Sequence, residues 1–343
     1  MKALFIGGTG TISMAITKKL ALDPNYQVYL INRGNRTKDI PENVILLKGD
    51  INDEAAIKDL IAGLSFDVVC DFIGFNLADV ERDYRLFKDI TKQYIYISSA
   101  SAYNKPSRSY LVNEGTSLAN PYWEYSRKKA LSERFLMDKY EKEGFPVTIV
   151  RPSHTYDERK IPLGVHGKNG SWQVVKRIME DKPVIIHGDG SSLWTMTFNE
   201  DFADGFIGLM ANNHAIGEAF QITSDETLTW NQIYEAIADA LGKELKAYYV
   251  TSSFLAATGP DYDFEGSLIG DKANSVVFDN QKLKRALPGF VCKTSFAKGV
   301  KRCIDFLLAN PEYQREDSDF DDYCDRVIAA LEAAKEMVNT DNK

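Results

Sequence analysis

The sequence predicts an α/β protein in which a doubly wound parallel sheet is joined to a smaller C-terminal α/β lobe. Short apolar runs alternate with helical stretches through the first half of the chain. The runs are continuous in hydrophobicity, which is typical of strands that are buried on both faces. Alternation of strand and helix favours a parallel sheet covered by helices on both sides.

The expected elements follow from these runs in order. Strands are predicted at 3–7, 27–32, 44–49, 67–72, 94–98 and 147–150, and helices at 11–22, 53–63, 77–90 and 123–143. Connections between parallel strands are expected to be right-handed. Because the strands run in the same direction, their carboxyl ends meet at one edge of the sheet. Ligands of such sheets bind at that edge.

The regular alternation of predicted strands and helices ends after Arg151. We expect a first domain over 1–155 and, over 156–343, a substrate-binding lobe that is interleaved with the sheet and ends in helices. The elements predicted there are helices at 172–180, 199–211, 229–241 and 320–338, a strand and turn at 182–192, and strands at 218–222 and 246–250.

Composition excludes several classes of protein. The chain has 343 residues, 44% of them hydrophobic, and a net charge of −8; with a pI near 5.2, a nucleic-acid partner is disfavoured. No apolar run approaches the roughly 20 residues of a membrane helix. The four cysteines and four histidines show no metal-ligand spacing, and unpaired cysteines are typical of reduced thiols. We therefore expect a cytoplasmic protein without a metal or a membrane contact. The sequence leaves open whether the protein forms a homodimer.

The stretch "FIGGTGTIS" (5–13) predicts a dinucleotide site of the Rossmann type. Gly7 and Gly10 stand between a strand and a helix, where the backbone can approach a pyrophosphate held at the helix N-terminus. Thr11 and Ile12 open that helix. Ser13 stands where a third glycine is usual; that position serves helix–strand packing, and a serine hydroxyl can bond to the helix backbone. We expect the loop to remain competent.

The end of the second predicted strand indicates which dinucleotide binds. The stretch "LINRGNR" contains Asn32, Arg33 and Arg36 and no carboxylate. NAD sites usually place an acid here, whereas an arginine accommodates the additional phosphate of NADP. The sequence favours NADP, the alternative being that both arginines are ordinary solvated charges.

A tyrosine and a lysine share one helical face in "YWEYSRKKALSERF". Tyr125 and Lys129 are four positions apart, and a nearby ammonium lowers the pKa of a phenol, which is about 10 when unperturbed. A tyrosine tuned in this way can move a proton near neutral pH. The strand at 94–98 ends in the hydroxyl residues Ser98, Ser99 and Ser101, which could donate to a substrate oxygen.

Taken in order, these motifs resemble the extended short-chain dehydrogenase/reductase superfamily and its nucleotide-sugar epimerase and dehydratase group. The glycine loop, Gly49-Asp50, the serine strand and Tyr125-x-x-x-Lys129 carry the resemblance. The stretches "RPSHTYD" (151–157) and "HGDGSSLWTMTFNEDFADG" (187–205) extend it to about residue 310.

The resemblance implies roles for individual residues. Tyr125 would be the acid/base, Lys129 its pKa partner and a contact of the cofactor ribose, and Ser99 would hold the reacting oxygen. Asp50, next to Ile51, would contact the adenine side of NADP or NAD. Ser13 and "DFIGFN" (71–76) depart from the group's pattern.

Three functions compete. An epimerase of a nucleotide sugar comes first, a carbonyl reductase that uses NADP second, and a non-catalytic RNA-binding or cofactor-sensing protein third. A dehydratase is disfavoured because Ala100 and Ser101 stand where that branch has an acidic pair. Candidate substrate contacts are His154, Trp172, Trp194 and Lys272.

Overall fold

The computed structural model describes residues 1–340. The strands are β1 (Lys2–Ile6), β2 (Gln27–Asn32), β3 (Ile45–Lys48), β4 (Val68–Asp71), β5 (Tyr94–Ile97), β6 (Leu111–Val112), β7 (Val147–Pro152), β8 (His154–Tyr156), β9 (Val184–His187), β10 (Leu193–Trp194), β11 (Met196–Phe198), β12 (Glu218–Ile222), β13 (Leu228–Thr229), β14 (Ala247–Val250) and β15 (Val277–Phe278).

The helices complete the chain. They are α1 (Thr11–Ala21), α2 (Glu54–Leu60), α3 (Leu77–Phe87), α4 (Glu124–Glu143), α5 (Trp172–Met179), α6 (Asn199–Leu209), α7 (Trp230–Leu241), α8 (Ser252–Thr258), α9 (Gln281–Ala286), α10 (Phe296–Ala309) and α11 (Ser318–Thr340). A π-helix spans Glu265–Lys272.

A parallel sheet of seven strands forms the centre of the fold, in the order β12-β7-β5-β4-β1-β2-β3. The chain moves outward from β1 to β3 on one side and from β4 to β12 on the other. The order therefore reverses between β1 and β4, which is the switch point where such sheets bind ligands. The predicted doubly wound α/β fold is confirmed.

The core lies on both faces of this sheet. Along β1, Ala3 and Phe5 belong to one buried cluster and Leu4 and Ile6 to the other. Helices α1 and α6 contribute to the first cluster, and α2, α3 and α4 to the second. Because alternate side chains are buried on opposite faces, the strand sequences are apolar throughout.

The chain forms two compact units. The first comprises Met1–Tyr156, Thr195–Asp225 and Val277–Thr294, and the second comprises Asp157–Trp194, Glu226–Val276 and Ser295–Lys343. The sheet strand β12 and helix α6 thus come from chain that follows residue 156. The first unit is assembled from three separate segments.

The second unit has short strand pairs and several helices. Its strands β9 and β14 are parallel, and β10 and β13 are antiparallel. The buried Arg177 of α5 pairs with Asp321 and Asp325 at 2.7 Å each, which fastens α11 to α5.

Within residues 1–340, no helix combines the length and the hydrophobicity that crossing a membrane requires. The same residues contain no group of three His, Cys, Asp or Glu side chains arranged to hold a metal ion. All four cysteines are free thiols.

Candidate active site

A cleft of about 710 Å³ opens at the switch point of the first unit. It is lined by Gly7, Gly8, Thr9, Gly10, Thr11, Ile12, Ser13, Ile31, Asn32, Arg33, Asn35, Arg36, Gly49, Asp50, Ile51, Asn52, Phe72, Ile73, Phe75 and Ile97. These residues lie at, or directly after, the carboxyl ends of β1 to β5. Every predicted dinucleotide contact except Lys129 lines the cleft.

The glycine loop depends on left-handed backbone. Gly7 has φ 101° and Gly8 has φ 80°, a region that favours glycine. A Cβ on Gly8 would lie 2.5 Å from Leu30 Cδ2. Both the backbone conformation and this close contact therefore favour glycine at position 8. Sequence reasoning missed Gly8, although the doublet Gly7-Gly8 was visible. Gly10 has extended backbone, φ −86°, so its conformation does not require glycine. The absence of a side chain at Gly10 instead leaves space in the cleft.

Ser13 is buried and acts as a cap of α1. Its Oγ accepts a hydrogen bond from the Gly10 N–H at 2.9 Å, and its exposure is 1%. The Thr17 hydroxyl donates to the Gly8 carbonyl at 3.0 Å and tightens the same turn. The first N–H groups of a helix have no partner within it, so those of Thr11 and Ile12 remain at the cleft. The departure at Ser13 therefore leaves a phosphate-binding terminus in place.

The far end of the cleft holds an unpaired amide. Asn32 Oδ1 accepts from the Gly34 N–H at 2.8 Å, while Asn32 Nδ2 is buried without a hydrogen-bond partner. Such a group is costly unless a ligand satisfies it. An N–H donor at this point fits a ribose hydroxyl or phosphate oxygen, so the residues present fit a dinucleotide. Arg33 and Arg36 are exposed on the cleft wall.

Asp50 also lines the cleft, in the turn after β3. Its Oδ1 accepts from the backbone N–H and the side-chain amide of Asn52, at 3.0 and 3.1 Å. These bonds fix the carboxylate beside Ile51.

Lys129 is buried behind the cleft wall, where it contacts the lining residues Ile97 and Phe75. Its Nζ donates to the carbonyls of Gly74 and Ile97, at 2.6 Å each. Burial lowers the pKa of Lys129 to about 8, and the nearby Asp71 carboxylate opposes that shift. Its Nζ lies 5.8 Å from the centre of the Tyr125 ring. The spacing of four on α4 thus brings this cation beside the predicted acid/base.

A chain of hydroxyl groups joins Ser99 to α4. Ser99 Oγ and Ser101 Oγ are 2.9 Å apart, and Ser126 Oγ donates to Ser101 Oγ at 2.8 Å. Ser126 follows Tyr125 in the sequence. The chain therefore ties the turn after β5 to the part of α4 that carries the tyrosine. Sequence reasoning missed Ser126, for which the only signal was a small polar residue inside the helix.

A buried ion pair holds α4 against the sheet. Arg151 on β7 pairs with Glu133 at 2.6 Å, and both side chains are less than a tenth exposed. The Ser98 hydroxyl at the end of β5 donates to the same carboxylate. Tyr125, Lys129 and Glu133 recur every four residues, so this anchor fixes the face of α4 that carries the site.

The predicted substrate contacts fall on both units. In the second unit, Trp194 stacks on Trp230 at 5.8 Å, and the Trp230 indole donates to the Lys272 carbonyl at 3.0 Å. Trp172 is buried at the start of α5. In the first unit, His154 lies half-buried on β8, paired with β11. Their role in substrate binding stays a prediction.

The fold and the cleft define a dinucleotide-binding protein of the Rossmann type. The model of the NAD dependent epimerase/dehydratase family matches residues 3–223. The chain belongs to that family: it is an enzyme, and its cofactor is NAD or NADP.

Individual relatives are distant. A 2'-dehydrokanamycin reductase of Streptomyces kanamyceticus is 23% identical over 84% of this chain and 80% of its own length. The chloroplast stem-loop binding protein of 41 kDa b from Arabidopsis thaliana is 26% identical over 70% of this chain and 63% of its own. The structure of UDP-glucuronic acid 4-epimerase from Bacillus cereus, in complex with UDP-glucuronic acid and NAD, superposes with a TM-score of 0.72 at 19% identity, over 90% of this chain and 99% of that one.

Proposed function

We propose that the protein is an epimerase of a nucleotide sugar that removes a hydride from a sugar carbon and returns it to the opposite face. The placement of Lys129 beside Tyr125 is the observation that carries the proposal, and Lys129 also contacts Ile97 and Phe75 of the cleft wall. The family supports the general reaction, and a structural neighbour was solved with UDP-glucuronic acid and NAD.

The residues divide the work of proton transfer. Tyr125 takes the proton from the sugar hydroxyl as the carbonyl forms and gives it back in the return step. The Lys129 ammonium stabilises the phenolate of Tyr125. Ser99 donates a hydrogen bond to the reacting oxygen and fixes its position. The bound dinucleotide supplies the hydride acceptor.

We also propose that the site prefers NADP. Arg33 and Arg36 are exposed at the cleft wall, and neither pairs with a carboxylate within residues 1–340. The orphaned Asn32 Nδ2 adds a hydrogen-bond donor where an NAD site usually presents an acceptor. This end of the cleft therefore favours a ligand with an additional negative charge.

A carbonyl reductase is the second candidate. It needs the same Ser99, Tyr125 and Lys129 but exchanges its cofactor in each cycle. The arginine pair favours it, because NADPH is the reduced cofactor of such reactions, and one relative is a 2'-dehydrokanamycin reductase.

One experiment separates the two candidates. The purified protein is denatured, and any released dinucleotide is identified by mass spectrometry. A retained oxidised dinucleotide, together with interconversion of UDP-hexose epimers, supports the epimerase. An empty site that takes up NADPH, with reduction of a ketone and no epimerisation, supports the reductase. Tight binding without turnover of either substrate would identify a cofactor sensor.

A further inference from the structure

The turn after β4 is built around Asp71. The Asp71 side chain is fully buried. Its Oδ1 accepts hydrogen bonds from the N–H groups of Ile73 at 2.8 Å and Gly74 at 2.9 Å. Phe72, Ile73 and Phe75 line the cleft, so this carboxylate shapes one wall of it.

The same turn is held from its other side by Lys129. The Gly74 carbonyl accepts from Lys129 Nζ at 2.6 Å and from the Tyr96 hydroxyl at 3.2 Å. A Cβ at Gly74 would lie 2.0 Å from Asp71 Oδ2, so only glycine fits between the two. One residue, Gly74, thus connects the carboxylate to the ammonium through its N–H and its carbonyl.

The charges that face Lys129 come from three elements. Asp71 on β4, Asp79 on α3 and Glu133 on α4 all favour its ammonium form. Among them, Asp71 has the largest effect. The rings of Tyr96, Phe75 and Tyr125 surround the amine at 4.7, 5.1 and 5.8 Å.

Asp71 in turn faces charges from α3. Arg82 and Lys129 favour its ionised form, while burial opposes it and raises its pKa. Asp83 lies beyond it, bound to Arg82 at 2.8 Å and to the Tyr94 hydroxyl at 2.9 Å. Asp83 accepts no hydrogen bond from Ile73 or Gly74, whose N–H groups bind Asp71, but it shares a side-chain hydrogen bond with Asp71, so Asp83→Asn serves as a control for the loss of a neighbouring buried carboxylate.

We propose that Asp71 is a positioning residue of the active site, which fixes the 72–75 wall of the cleft and keeps Lys129 in its ammonium form. This inference rests on the proposed function, in which Lys129 stabilises the Tyr125 phenolate and contacts the cofactor. Without the Asp71 anion, the buried amine loses the charge that favours its ammonium form most and gives up its proton at lower pH.

The ionisation of Lys129 tests this directly. Protein labelled with ¹³C at lysine is titrated by NMR without substrate, and the Lys129 signal is assigned by its absence in Lys129→Met. In Asp71→Asn we expect the titration midpoint of Lys129 to move down by about one pH unit, as for the loss of a nearby opposite charge. In the control Asp83→Asn it should change little, because the charges that act on Lys129 are those of Asp71, Glu133 and Asp79 and an amide at position 83 can still donate a hydrogen bond to Asp71.

Affinity for NADP gives a second readout. With the midpoint lowered by one unit, the ammonium fraction at pH 7.5 falls about threefold, whereas at pH 6 it hardly changes. Calorimetry should therefore show an extra loss of about threefold at pH 7.5 in Asp71→Asn. A purely structural defect would lower the affinity by the same factor at both pH values.

Gly74→Ala provides an independent variant that retains the carboxylate. Its methyl group must push Asp71 off the turn, and the Lys129 midpoint should fall as in Asp71→Asn. If Asp71→Asn fails to fold, the titration midpoint of Lys129 in Gly74→Ala tests the proposal. An unchanged midpoint in the folded variants would overturn the assignment. A lowered midpoint in a protein that epimerises no nucleotide sugar would leave this inference standing and contradict only the proposed function.

Discussion

Tyr125 and Tyr122 form a matched pair on which the mechanism can be tested. Tyr125 is half-buried with Lys129 one turn later, whereas Tyr122 is 40% exposed and is followed one turn later by Ser126. Removing the Tyr125 hydroxyl removes the acid/base, which is typically worth about 10²–10⁴-fold in rate. Tyr125→Phe should therefore lower kcat by about that factor and leave cofactor affinity intact.

The assay uses whichever test compound, UDP-hexose or ketone, the unmodified protein turns over, and Tyr122→Phe is its control, with near-normal turnover expected. Full activity of Tyr125→Phe in that assay would mean that another group transfers the proton.

Arg33 is the residue on which cofactor preference should depend. A carboxylate at its place would repel the additional phosphate of NADP and could accept from the ribose hydroxyl of NAD. Arg33→Asp should therefore reverse the preference from NADP to NAD, as measured by calorimetry with both dinucleotides. Arg108→Asp, at another exposed site outside the cleft lining, makes the same change in net charge and should change neither affinity. Tighter binding of NAD by the unmodified protein would contradict the preference.

At the scale of an element, α1 tests whether Ser13 is a cap or an impairment. Ser13→Gly removes the acceptor of the Gly10 N–H and adds a glycine to the first turn, which should lower the free energy of unfolding by about 1–2 kcal/mol. Dinucleotide affinity should stay within a few fold, since the phosphate-facing groups are unchanged. Denaturant titration and calorimetry measure the two effects, and Ser13→Ala separates the lost cap from the added flexibility.

Gly10→Val completes that comparison. The extended backbone at Gly10 accepts a side chain, so the variant should fold, but its branched side chain would fill the space for the pyrophosphate and abolish binding. A large gain of affinity in Ser13→Gly would instead show that the native loop is impaired.

Helix α4 depends on its anchor to the sheet. Glu133→Gln leaves the buried Arg151 without a counter-charge, and breaking a buried pair in this way costs about 3–5 kcal/mol. Thermal and denaturant unfolding should show that loss. Asp138→Asn breaks the exposed pair with Lys142 on the same helix and should change stability little, because solvent screens such pairs. Equal effects of the two variants would mean that the anchor contributes no more than a surface pair.

At the scale of the whole molecule, net charge bears on the RNA-binding alternative. One relative is a stem-loop binding protein, but this chain carries a net charge of −8. RNA binding draws its affinity from phosphate contacts with cations. We expect the purified protein to retain no stem-loop RNA at physiological salt in a filter-binding assay. Retention that weakens steeply with added salt would favour the RNA-binding function over the enzyme.

Local pattern alone determined the order of strands β1 to β5 and β7 and of helices α1 to α4, and much of the dinucleotide site. Strand and helix periodicity shows in the chain itself, so α4 begins at residue 124 where 123 was predicted. The glycine loop, Asn32, Arg33 and Asp50 follow directly after strands, and parallel strands bring those ends together. The helical repeat alone predicted that Tyr125 and Lys129 lie on one face of α4.

Tertiary structure decided how these residues are supported. Gly74 and Lys129 are 55 positions apart, and Ser101 and Ser126 are 25 apart, so no local period indicates either contact. The return of β12 to the edge of the sheet likewise depends on chain that follows residue 156. Hydrogen bonds across such separations depend on strand register and helix packing, which many distant side chains determine together. For that reason the sequence marked Asp71 only as a departure from the family pattern, and the fold showed what it holds in place.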